Sequence, residues 1–353
     1  MRAVVRPEVY DAYWRFAARR NEILMNRIRG LPAPWTDDPI LQRFKFCNTF
    51  RAADRVSQYL IRDVIYGDRA AGLTPEDDFM RIVLFRLFSK ERTWEALEGA
   101  TGGLRCSNLD VSALGDMLEG MRAEGPIYTA AFILAAPKGF GYKAKHRNHL
   151  ALVAHMFRKG GLGSALSRAR SLDDVFESLT EYPMIGPFLG YQIAIDLNYS
   201  EHLSFDEDEF TMPGPGALRG IAKVFKDTGG ESAQALIGRM VDRQEEEFAR
   251  LGLDFDGLFG RRLHAIDCQG LFCETDKYSR EAFPELKSNR VRIKQEYRPD
   301  PRPLVLTFPP KWGIDANATA FAADGSDDLR REVDKSSQRP IDDGPRSEQL
   351  ALA

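Results

Sequence analysis

Residues 179–216 constrain this chain more than any other stretch. They read LTEYPMIGPFLGYQIAIDLNYSEHLSFDEDEFTMPGPG. An apolar approach leads into Pro183, Gly186 permits a sharp turn, and Pro187 suits the first turn of a new, strongly apolar helix. The pattern predicts two helices joined by a tight hairpin. Asp206, Glu207, Asp208 and Glu209 follow, and then a Pro/Gly turn into another helix. Hairpin amides at a helix start can face a phosphate, and a carboxylate close by can act on whatever the hairpin holds. The plainer alternative is a Gly cap, a Pro start and a solvated acidic loop.

The rest of the chain also reads as helix, so the expected fold class is all-α. Helical apolar spacing marks 9–28 and 39–66, the second with Phe44, Cys47, Phe50, Ala53, Val56, Leu60 and Val64 near one stripe. Thr74-Pro75-Glu76-Asp77 is a helix start, and Ser171-Leu172-Asp173-Asp174 resembles a capping box. Further helices are expected over 79–89, 94–100, 109–122, 127–136, 148–157, 217–225, 232–251 and 262–278. The best strand candidate is 304–308. Three regions follow: an N-terminal helical region (1–125), a hairpin region for DNA binding and catalysis packed with it as one unit (126–298), and an extended segment with a disordered tail (299–353).

With 353 residues, 43% of them hydrophobic, the chain can bury a large core. No apolar run is long enough for a bilayer, no signal-peptide core opens the sequence, and four cysteines fit a reducing compartment. A cytoplasmic protein without membrane contact is expected. The net charge of −3 hides an asymmetry. Residues 126–172 contain no Asp or Glu but carry Lys138, Lys143, Lys145, Arg147, Arg158, Lys159, Arg168 and Arg170. Such a window before the hairpin predicts a positive surface for a polyanion, or else a solubilising face.

Other constellations are weaker. Gly214, Gly216 and Gly220 allow close backbone approach, and Arg219 adds a cation to the same turn. The segment around Asp267, Gln269 and Lys277 mixes polar and apolar residues as site-lining helices do. Asn48, Arg51, Arg55 and Gln58 stand at helical spacing, followed by Arg86, Lys90, Arg92 and Trp94. No phosphate-loop motif GxxxxGK[ST] and no GxSxG elbow is present, which leaves no self-contained P-loop kinase. His264, Cys268 and Cys273 fit neither a zinc nor an iron–sulfur spacing, so no metal and no cofactor is expected.

Five phrases carry a resemblance: FRAADRVSQYLI, LFRLFSKERTWEAL, IGPFLGYQIAIDLNYS, FDEDEFTMPGPGALRGI and IDCQGLFCETDKYSR. With them the chain resembles the amino acid:DNA transferases, also called alpha-glutamyl/putrescinyl thymine pyrophosphorylases, of bacterial viruses and related bacterial loci. Related helical domains accompany 5-hydroxymethyluracil DNA kinases. The resemblance implies a helix-hairpin-helix, DNA-glycosylase-like fold. It implies replacement of the phosphate or pyrophosphate on 5-hydroxymethyluracil in DNA by an amine from an amino acid or polyamine, with a separate kinase as pathway partner, protecting DNA from restriction. Asp208 is then the expected base, with Asp206 and Glu209 as alternates. DNA contacts fall to Gly186, Lys143, Lys145, Arg147, Arg158, Lys159 and Arg219, and the substrate pocket to Arg55, Gln58, Asp267, Gln269 and Lys277. Phe188, Tyr191 or Phe210 is a candidate to stack on a flipped base, with core packing the expected role of Tyr191. Two positions depart from glycosylases. Phe188 stands where lyases carry a Schiff-base lysine, and Met184 stands where glycosylases favour Gly. A monofunctional glycosylase and a non-catalytic module that recruits a kinase are the competing readings.

Overall fold

The computed structural model describes residues 3–70, 72–129, 139–286, 289–290, 292–300 and 304–315. Among these, the helices in chain order are α1 (Pro7–Ile28), α2 (Pro39–Arg43), α3 (Arg55–Tyr59), α4 (Pro75–Phe88), α5 (Glu91–Thr101), α6 (Val111–Glu124), α7 (Lys145–Arg158), α8 (Leu162–Arg168), α9 (Leu172–Thr180), α10 (Pro187–Leu197), α11 (Pro215–Val224), α12 (Ala233–Arg250) and α13 (Ala265–Ala282). The only sheet among the described residues pairs β1 (Val4–Val5) with β2 (Phe225–Asp227), antiparallel. The described residues are all-α apart from this ribbon.

Local signals explain several helix starts. Thr74 accepts the Asp77 N–H and the Asp77 carboxylate reaches back to Thr74, a complete capping box with Pro75 in the first turn. Ser171 accepts the Asp174 N–H, but Asp174 turns to the Arg170 N–H instead of the cap residue. Ser232 caps α12 in the same way.

The helices pack as two groups. The middle of the chain, α4 to α10, forms one group around α4 and α10. Residues 79–88 of α4 and 189–197 of α10 are buried on every side, as expected of helices that are apolar all round. The second group joins the ends of the chain: α1, α11 and α12 around α13. Gly216 and Gly220 explain its tightest contact. A Cβ on Gly220 would lie 1.9 Å from the Phe272 carbonyl oxygen, and one on Gly216 2.7 Å from Cys273 Sγ. The glycine pair, one turn apart, lets α11 lie directly on the α13 backbone.

Two arginines converge on one buried acid. Arg86 of α4 and Arg51, in a short helical turn at Arg51–Ala53, both pair with the fully buried Asp196 of α10. Arg51 also donates to Gln192 Oε1 (3.0 Å) and the Tyr199 hydroxyl (3.1 Å). A buried carboxylate requires such partners, because an isolated one is prohibitively desolvated.

Two expectations change. The helix expected over 39–66 is broken. Residues near Phe44 run extended, with Lys45 N–H bonding Gln295 and Tyr297 N–H bonding Arg43, so pairing with a distant segment overrides the local period. The apolar stripe there is satisfied by α2, α3 and a π-type turn at Leu60–Ile65. The strand expected over 304–308 is irregular backbone. Of the helix expected over 127–136, residues 130–136 lie outside the described residues, as does the tail from 316 onward.

Candidate active site

Residues 203–214 carry the chain from the first helix group to the second. Asn198, at the end of α10, anchors the start of this loop with two bonds to the Phe205 backbone (2.9 and 3.0 Å). Beyond it the side chains alternate. Asp206 and Asp208 face outward, while Glu207 is buried.

Asp208 docks on the N-terminus of α13. Its carboxylate accepts the Ala265 N–H at 2.9 Å and Arg262 at 2.9 Å, and His264 Nδ1 lies 3.2 Å away. Asp206 accepts the Asp208 N–H at 2.8 Å and fixes the turn. Burial disfavours the Asp208 anion, but His264, the Ala265 N–H and Arg262 outweigh it and hold the carboxyl below the usual aspartate value. Positive charge at the helix start acts in the same direction. Asp208 is therefore an anion at neutral pH, suited to stabilising positive charge. Asp206, Asp208 and His264 each present a ligand atom within 4.8 Å of the others. Both Asp208 oxygens already have donors, so a cation there must displace Arg262.

Beneath this surface lies a second acidic layer. Glu207 pairs with Arg261 at 2.8 Å, and the Arg261 guanidinium lies 3.8 Å from the centre of the Trp312 ring. Asp267, in the first turn of α13, accepts the Arg51 N–H (2.9 Å) and the His264 N–H (3.2 Å). Burial pushes its carboxyl up to about 6 despite the bond from Arg51, nearer the range of a working general base than Asp208. Glu207, Arg261, Asp267, Phe50, Tyr199 and Trp312 line a shallow pocket too narrow for a water molecule. Residues 304–315 border it through Trp312. Thr307 exchanges two backbone bonds with Gln58, and Lys311 donates to the Asn198, Ser200 and Leu203 carbonyls past the end of α10.

The hairpin between α9 and α10 is open at its apex. A Cβ on Gly186 would meet nothing within 4 Å. Met184 adopts φ +74°, the left-handed conformation a glycine takes easily. The hairpin packs on the basic region: Tyr182 donates to the Gly160 carbonyl at 2.8 Å, and a Cβ on Gly139 would press on Met184 Sδ.

That region is less positive in space than in sequence. Arg147 pairs with Asp116, Arg158 donates to the Cys106 carbonyl, and Lys145 lies 4.4 Å from the centre of the Tyr128 ring. Buried His146 bonds the Gly115 carbonyl and buried His149 faces the Tyr128 hydroxyl. Lys143 and Lys159 are exposed and pair with no described acid.

The structure brings together Asp206, Asp208, Asp267 and Gln269 around the start of α13; Glu209 is exposed on the same loop. It separates others. Arg55 is exposed near Glu91, and Gln58 holds Thr307. Lys277 stands ten residues from Asp267, roughly 15 Å along α13, where it donates to the Lys45 carbonyl. Arg219 joins Lys223 and Arg280 around Asp276 between α11 and α13. Tyr191 is fully buried and packs edge-on against Phe210, which also contacts Phe176; core packing is the role both rings show. The sequence reading missed Arg261 and Arg262. Their signal is a basic pair directly before a helix start, where acids from elsewhere can dock.

A family model described as "5-hmdU DNA kinase, helical domain" matches residues 7–288. The chain belongs to this family. The match runs from the start of α1 past the end of α13, so it includes both helix groups and the acidic loop between them. A 5-hmdU DNA kinase of Bacillus phage SP10 is 25% identical over 317 residues, covering 83% of this chain and 49% of that protein. The chain thus spans about half the length of this relative. No solved structure matches. No described helix is long and apolar enough to cross a membrane.

Proposed function

We propose that this helical domain binds DNA carrying a modified thymine and transfers an amine onto it. The carrying observation is the seat of Asp208 on the N-terminus of α13, beside Asp206 and His264 and above the buried Asp267. The substrate is a 5-hydroxymethyluracil already phosphorylated by a separate kinase. The amine nitrogen of an amino acid or polyamine attacks the 5-methylene carbon. The C–N bond forms as the C–O bond breaks, and its electron pair leaves with the phosphate or pyrophosphate. The proton released from the new ammonium passes to a carboxylate of the loop, and Asp208 stabilises the positive charge that builds at the reacting carbon and nitrogen. The base is reached by flipping the nucleotide from the duplex, with the hairpin and Lys143 and Lys159 on the backbone. A helix-hairpin-helix relation to DNA glycosylases is part of this reading, supported by the positive φ of Met184 and the hairpin-then-acid order.

The test is one reaction. Purified protein is mixed with duplex DNA containing 5-phosphomethyluracil or its pyrophosphate, together with amino acids and polyamines, and the digested nucleosides are weighed by mass spectrometry. A nucleoside heavier than thymidine by an amine substituent supports transfer. An abasic site points to a glycosylase.

A second reading has its own support. The family description and the phage relative both name a DNA kinase, and both Asp208 oxygens are occupied. A non-catalytic module that brings a kinase to modified DNA predicts salt-sensitive DNA binding with an unchanged nucleoside pool.

A further inference from the structure

Gln269 is 3% exposed, and its amide nitrogen has no hydrogen-bond partner among the described residues. Buried amides are nearly always bonded, because leaving one unpaired is costly. Gly214 packs against it. A Cβ there would lie 3.4 Å from Gln269 Nε2 and 2.5 Å from the Phe188 ring, so only a bare backbone fits beside ring and amide. Two further buried hydroxyls, of Tyr191 on the same face of α10 as Phe188 and of Thr211, face one another. The amide also has a fixed place along the helix. Ala265, which holds Asp208, and Gln269 are four residues apart on one face of α13, about 6 Å along the axis.

That spacing matches a pyrimidine ring set between a 5-substituent and its imide edge. We propose that Gln269 reads the imide edge of the target base. Its Nε2–H donates to O4 and its Oε1 accepts N3–H, while the 5-methylene points at Asp208. The ligand class is a uracil-type base extruded from DNA. This rests on the reading that the domain acts on a modified thymine, but it concerns recognition and not transfer. A cytosine presents an amino group where the O4 carbonyl would be, and loses the bond from Nε2.

The experiment compares duplexes with a single 5-hydroxymethyluracil or 5-hydroxymethylcytosine at one position, by fluorescence anisotropy at fixed salt. The full chain is compared with Gln269→Met, which keeps the volume and removes the amide, and with Gln269→Glu, which keeps the shape and removes the donor. Thermal melting confirms that each variant is folded. The expected result is a preference of at least fivefold for the uracil duplex, lost in both variants. No preference in the wild type, or one that survives in Gln269→Met, overturns the assignment. The nucleoside assay separates the two readings. A Gln269-dependent preference without amine transfer leaves recognition standing and removes the transferase. Transfer with a Gln269-independent preference does the reverse.

Discussion

Asp208 accepts the backbone N–H of Ala265 at 2.9 Å, which seats a loop carboxylate on the first turn of α13. The contact joins the crossing between the two helix groups to the helix at the centre of the second. Its charge and its hydrogen bond have separable consequences. Asp208→Asn keeps an acceptor for the Ala265 N–H and loses the attraction to Arg262 and to the helix start. Stability is expected to fall by about 1 kcal/mol, read as a small drop in melting temperature. Amine transfer is expected to fall by at least about 100-fold. A folded Asp208→Asn protein with full transfer would remove Asp208 from the mechanism.

Asp267 makes folding pH-dependent. Its folded value, about 6, lies above the ordinary 3.8. Between these values the folded state holds a proton that the unfolded chain has released. The associated stability is present below about pH 4 and lost as pH rises through about 6. Asp54 behaves likewise. His149, which burial pushes down to about 3, acts oppositely, since its stability is lost as pH falls below the ordinary 6.5. The comparison is therefore between proteins. Asp267→Asn is expected to gain on the wild type as pH rises from 5 to 7.5, by about 1 kcal/mol. Urea unfolding across that range checks it; parallel profiles would mean that Asp267 does not titrate there.

The Met184 backbone supplies a third expectation. At φ +74° a β-branched side chain is strained, while Asn tolerates the left-handed region. Met184→Val is expected to be less stable than Met184→Asn by about 1–2 kcal/mol. Equal denaturation midpoints for the two variants would show that the hairpin relaxes to another conformation.

The basic region divides into committed and available cations. Lys143→Ala with Lys159→Ala is expected to leave stability within about 0.5 kcal/mol. The double variant should weaken DNA binding at all sequences and reduce the slope of log affinity against log salt by about 2. Arg147→Ala, which removes a pair with Asp116, is expected to change that slope less. Salt titrations of duplex binding decide it, and a larger effect at Arg147 would relocate the interface.

Much of the helix order was legible because the interactions that start a helix span four residues or fewer. The Thr74–Asp77 box, the Pro187 start and the Gly216/Gly220 spacing each state a local backbone requirement. The acidic loop was legible as a cluster, but not as two layers. Asp206, Glu207 and Asp208 are neighbours of similar chemistry, and only the Arg261–Arg262 pair arriving from 54 positions on draws Glu207 inward and Asp208 onto α13.

The sequence by itself determined the helical class, the hairpin followed by acids, and the basic stretch beside them, since these depend on backbone preference and side-chain period. The tertiary structure alone decided which charges are spent inside. No neighbour in sequence names a partner for Arg51 or Arg86, yet both serve the buried Asp196, 145 and 110 positions away. The segment after Phe44 had helical spacing, yet it pairs with residues 295–297. The reason is physical: periodicity records what one segment can bury, while the partner of a desolvated charge or an extended backbone is chosen by whichever distant segment packs against it.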